Sequence, residues 1–112
     1  MKVHFDETVN AVIEKQNVEL DGYNAISKTV TFNNDETNLK IVITQIDRIW
    51  TMKSPFSPFR DEIFTKSNLT TLLTRYMPYI FGGKVSMGSN YGEQLISWCT
   101  DVMKGAMGIA LV

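Results

Sequence analysis

The sequence predicts an α+β fold: an N-terminal helix, a small antiparallel β-meander, then two or three helices packed on one face of the sheet. Three observations carry this expectation. Apolar residues near the start recur at helical spacing. Residues 17–52 are rich in β-branched and aromatic residues punctuated by turn residues. The second half of the chain returns to helical periodicity.

The first element is expected over 7–16. Asp6 is placed to cap it, and Phe5, Val9, Val12 and Ile13 fall on one side of a helical projection. Glu7, Asn10, Glu14 and Lys15 fall on the other. A helix this short needs a sheet to lie on.

The meander occupies about 17–52. Val18-Glu19-Leu20 and Tyr23 flank Asp21-Gly22, a dipeptide that supplies the positive φ values of a tight hairpin. Thr29-Val30-Thr31-Phe32 is a second strand, and Asn33-Asn34-Asp35-Glu36 a turn whose side chains can bond their own backbone. Leu39 to Thr44 is the clearest strand. Leu39, Ile41 and Ile43 share one face, and Lys40, Val42 and Thr44 the other. Asp47 to Met52 suits either a continued strand or a turn of helix. Short connections favour antiparallel pairing.

Ser54 to Glu62 reads SPFSPFRDE. Ser57 can cap a helix with Pro58 at its first position, which would set Phe59, Ile63 and Phe64 on one face. Asp61 and Glu62 suit a helix's first turn. In a polyproline II conformation, the same stretch presents Pro-x-x-Pro-x-Arg, a pattern read by aromatic-lined grooves. Ser67 opens a helix carrying Leu69, Leu72, Leu73, Tyr76, Met77 and Ile80, limited by Pro78 and Gly82-Gly83. Asn90, with Glu93 three residues on, opens the last helix. Its apolar stripe is Leu95, Trp98, Cys99, Val102, Met103 and Ala106.

The length of 112 residues fits one domain, 1–112. Hydrophobic residues at 44% and charged residues at 21% match a globular chain and exclude wholesale disorder. With 11 basic and 12 acidic residues, the net charge of −1 supplies no field to draw the protein to nucleic acid or an anionic membrane. The start lacks an apolar signal-peptide core, and no apolar run reaches the ~20 residues of a spanning helix. A single cysteine forms no internal disulfide and excludes a cysteine zinc cluster. A cytoplasmic setting is expected, or a virion, since the lysine-, asparagine- and isoleucine-rich composition suits an AT-rich phage or mobile-element gene.

Catalytic chemistry finds little support. His4, the one histidine, reads as an edge-strand residue, and Cys99 as a small hydrophobe on an apolar stripe. Asp35-Glu36 and Asp61-Glu62 lack the alternating ligand spacing of a calcium loop. Gly83 to Gly88 has P-loop glycine spacing, but Ser89 stands where lysine is required. No catalytic residue, metal or cofactor is expected.

Interaction surfaces remain. The uncharged stretch Gly105 to Val112 either packs into the chain's own core or meets another chain. The expected function is a non-enzymatic protein-binding or assembly subunit, such as a virion component or host-directed inhibitor. It would bind a protein partner or itself through Phe56, Phe59, Arg60, Met107, Ile109 and Leu111. The alternative is a nucleic-acid-binding accessory protein, with Arg75, Tyr76, Tyr79 and Lys84 mixing cations and aromatics.

Overall fold

A computed structural model describes residues 1–46, 49–53, 60–63 and 90–108. Six strands, β1 (Lys2–His4), β2 (Val9–Leu20), β3 (Tyr23–Asn34), β4 (Leu39–Ile46), β5 (Ile49–Lys53) and β6 (Arg60–Ile63), form one antiparallel sheet. Each strand pairs with the next in sequence, so spatial order follows chain order. Among the described residues one helix, α1 (Asn90–Met107), follows.

The N-terminal helix is not formed. Residues 9–20 are a strand, antiparallel to β3 from Val9↔Asn34 to Leu20↔Tyr23. Val9, Val12 and Ile13 satisfy a helical projection, but Val9, Ala11 and Ile13 also alternate at period two. The long complementary strand that follows decides between the readings. Asp6 caps, but it caps a turn. Its Oδ1 accepts from the Thr8 amide (2.8 Å), the Thr8 hydroxyl (3.1 Å) and the Val9 amide (2.7 Å). The same carboxylate chemistry that starts helices turns β1 into β2 here.

The group of two or three helices is also corrected: among the described residues there is one. Arg60–Ile63 is a strand on β5, with a register shift between Met52 and Lys53. A helix therefore does not run through Asp61, Glu62 and Ile63. Ser57 to Phe59, Phe64 and the expected helix over Leu69 to Ile80 lie outside the described residues.

At the β2–β3 turn, Asp21 (φ 48°) and Gly22 (φ 85°) both hold positive φ, the pair a two-residue type I′ hairpin demands. Between β3 and β4, Asn34 Oδ1 accepts from the Glu36 amide (2.9 Å) and the Thr37 amide (3.2 Å). Asn38 takes φ 59° and donates its amide to Asn34 O at 2.9 Å.

Helix α1 covers one face of the sheet. Val9, Ala11, Val30, Phe32, Ile41 and Ile43 from the strands meet Leu95, Cys99, Val102, Met103 and Met107 from the helix. Register explains the selection: Ala11, Phe32 and Ile41 form one row across β2–β3–β4, and Ile13, Val30 and Ile43 the next. Trp98 lies over this surface, its ring centroid 5.4 Å from Phe5 and 5.8 Å from Phe32. Each large side chain so buried contributes about 1.5–3 kcal/mol. Gly108 closes the helix at φ 71°, its amide donating to Lys104 O at 2.9 Å.

Candidate interaction surface

The sheet is not a rectangle. β1 covers the outer edge of β2 only as far as Ile13, whose amide donates to Met1 O at 2.8 Å. On the other side, β4 joins β3 only from Ser27, opposite Ile46. The paired segments 17–20 and 23–26 therefore project as a two-stranded arm, tipped by Asp21-Gly22. Among the described residues, no strand pairs with either edge of that arm.

Antiparallel geometry decides which backbone groups the arm offers. Successive residues of a strand direct their N–H and C=O alternately to opposite sides. Ile13 bonds outward to Met1, so Lys15, Asn17 and Glu19 also point outward, and Glu14, Gln16, Val18 and Leu20 point to β3. The closing pair Leu20↔Tyr23 agrees, since a two-residue hairpin closes on a hydrogen-bonded pair. On β3 the same parity turns Asn24 and Ile26 away from β2, beyond the reach of β4.

Side chains of the arm range from exposed to buried: Asn17, Glu19, Asn24 and Ile26 are exposed, and Ala25 is buried. Lys15, Asn17 and Glu19 share one face with Lys28 and Ile26, and Ile26 is 55% exposed. On the opposite face Val18 and Leu20 are half-buried and Tyr23 is 51% exposed. Ile49 on β5 is 53% exposed.

A concavity lies where β1 and β2 meet α1. It encloses ≈ 430 Å³ and is mainly apolar, with Met1, Val3 and Ile13 facing Trp98, Val102 and Ala106. Lys15 and Asp101 also line it. Trp98 Nε1 is buried without a hydrogen-bond partner among the described residues.

A polar cluster sits on the face away from the helix. Asn33 Nδ2 donates to Asn10 Oδ1 (3.2 Å), and Asn10 Nδ2 donates to Asp35 Oδ2 (2.9 Å). Asn10 is 1% exposed, and these bonds satisfy its buried amide. The cluster fixes the β2–β3 register and the adjoining turn.

Titratable groups are dispersed. No group of three or more His, Cys, Asp or Glu side chains is poised around a metal among the described residues. His4 is exposed on β1, the edge strand. Cys99 is wholly buried and free, and burial pushes its thiol well above the usual range. No helix of the described residues is long and apolar enough to cross a membrane.

Of the partner-binding residues expected from sequence, Met107 is 6% exposed and packs in the core between helix and sheet. Helix α1 runs through Gly105 and Ala106 to Met107, so this part of the uncharged stretch packs on the chain's own sheet. Arg60 opens β6. Phe56, Phe59, Ile109 and Leu111 lie outside the described residues, as does the 75–84 region. Sequence reasoning placed the Asp-Gly hairpin but missed the arm, because strand overhang depends on where β1 and β4 stop.

Compared with family models, curated proteins and solved structures, the chain matches none.

Proposed function

We propose that the chain is a non-enzymatic protein-binding or assembly subunit, and that the β2–β3 arm is its interaction surface. The observation that carries this reading is that, among the described residues, no strand pairs with either edge of the arm. A bare edge presents N–H and C=O groups at strand spacing, and an extended segment of another chain satisfies them by adding a strand. Main-chain bonds then give affinity, and exposed side chains along the edge such as Ile26 give selectivity.

The test compares the full chain with a shortened arm lacking 17–20 and 23–26, so that Gln16 runs directly into Asp21-Gly22-Ser27. Removing equal lengths from both strands keeps the turn and the remaining register. The probes are random decapeptides displayed on phage, together with the chain's own molar mass at up to about 1 mM, where weak interfaces are populated. The full chain is expected to bind extended peptides or to self-associate, and the shortened chain to stay folded and do neither. Equal binding by both chains, or no association of any kind by the full chain, would contradict the proposal.

A further inference from the structure

Resting on the strand-addition reading above, we infer that the occupant of the outer β2 edge is the same edge of a second copy, paired antiparallel about a two-fold axis at Asn17. Two independent observations converge on that residue. The first is the extent of the bare edge. β1 covers β2 as far as Ile13, and the turn begins after Leu20, so the window left open among the described residues is Glu14 to Leu20. Its midpoint is Asn17.

The second is charge. Along the outward-bonding residues the order is Lys15, Asn17, Glu19, with opposite charges equidistant from Asn17. A two-fold axis there sets Lys15 of one copy against Glu19 of the other, and Glu19 against Lys15, on one face of the joined sheet. Directly opposite charges favour pairing, and like charges disfavour it. An edge protected by charge alone needs only repulsion, which one sign supplies. This edge carries both signs in the order that attracts its own copy.

The backbone agrees. Lys15, Asn17 and Glu19 are the residues whose N–H and C=O point outward, so Lys15 with Glu19, Asn17 with Asn17, and Glu19 with Lys15 become hydrogen-bonded pairs, each exchanging two bonds. On the opposite face Gln16 meets Val18 and Glu14 meets Leu20. One end of the partner's strand passes beyond the Asp21-Gly22 turn; at the other end Leu20 pairs with Glu14 and the partner's turn abuts Met1, which holds the outward groups of Ile13 and sets the limit of the pairing.

Within one copy, Lys15 faces Lys28 across the β2–β3 ladder. Neither has an ion-pair partner among the described residues. Asp101 lines the same concavity as Lys15 without an ion pair to it among the described residues, and Glu19 of a second copy would set a carboxylate directly opposite Lys15.

The pairing is short, so the dimer is weak, with a dissociation constant of about micromolar to millimolar, as for interfaces below the standard size. Sedimentation of the full chain at rising concentration, with K15E, E19K and the double swap K15E/E19K, tests it. Each single substitution sets like charges against one another and is expected to weaken the dimer about 3- to 10-fold. The double swap restores it, because the carboxylate introduced at position 15 of one copy meets the ammonium introduced at position 19 of the other. In parallel, Asn17→Cys is expected to cross-link two copies on oxidation, since the Cα separation of a hydrogen-bonded pair, ~5.5 Å, suits a disulfide. A dimer that both single swaps weaken and the double swap fails to rescue would overturn the register, as would a dimer that survives in the shortened arm. A chain that stays monomeric at about 1 mM but binds displayed peptides through the arm would overturn self-pairing while leaving the strand-addition reading intact.

Discussion

Lys15 and Lys28 stand directly opposite each other in the β2–β3 ladder, on the same face of the sheet. Like charges so placed repel. K15E replaces that repulsion with attraction, so the isolated chain gains about 0.5 kcal/mol, read as a higher midpoint in urea at a concentration where the protein is monomeric. The same substitution weakens the proposed dimer. A variant that loses both stability and association would mean that Lys15 matters only to the fold.

Asn17 and Val18 are neighbours with opposite backbone roles. The Asn17 amide points away from β3, so Asn17→Pro removes only an edge donor, which edge strands tolerate. The Val18 amide points into the ladder, and Val18→Pro breaks it at a cost of about 3 kcal/mol or more if the hairpin stays docked. Urea melts should separate the two by at least ~2 kcal/mol, with Asn17→Pro near the parent yet unable to associate. Equal destabilisation would show that the parity assigned to β2 is wrong.

Gly105 lies inside α1, and a Cβ added there meets nothing within 4 Å. Glycine in a helix interior costs about 1 kcal/mol relative to alanine. Gly105→Ala should therefore stabilise the protein by about 0.5–1 kcal/mol in thermal or urea melts. Gly22, at φ 85°, behaves in the opposite way. Gly22→Ala strains a left-handed position and should cost about 1–2 kcal/mol.

Cys99 is buried against the core of the sheet, and burial raises the thiol's affinity for its proton. In the folded protein at pH 8, a chromogenic disulfide reagent should label it slowly, at the rate of transient opening. Labelling should become complete within the mixing time in urea. Rapid stoichiometric labelling without denaturant would contradict the packing of α1 on the sheet.

The elements legible in the sequence are those whose signals are local. Asp21-Gly22 specifies a turn by the φ values it permits. Leu39 to Thr44 alternates cleanly, and Ile41 and Ile43 are buried as that alternation requires. The stripe Leu95, Trp98, Cys99, Val102, Met103, Ala106 supplies the helix side of the core. The N-terminal segment misled because Val9, Val12 and Ile13 satisfy two periods, and only pairing with Tyr23–Asn34 chooses between them. Arg60–Ile63 misled for a similar reason: two acidic residues after a proline suit a helix start, yet the neighbouring β5 edge recruits them as a strand. Met107 was legible as apolar, with core and interface both open readings of its stretch, and the sheet beneath the helix decides for core. The arm could not be read at all. It exists because β1 ends its coverage at Ile13 and β4 begins its own at Ser27, and both limits are set by tertiary pairing.

The most direct test of strand addition at the β2 edge is amide hydrogen exchange, resolved by residue, at about 20 μM and about 1 mM, a span that brackets a weak interface. Glu14, Gln16 and Val18 bond to β3 in every copy, so their protection should not depend on concentration beyond the stability of the hairpin. Lys15, Asn17 and Glu19 point outward and should exchange freely when dilute and become protected at the higher concentration, with Asn17→Pro abolishing the change at Lys15 and Glu19. If these three amides exchange freely at both concentrations, or are already protected when dilute, the outer edge of β2 is not where a second copy binds.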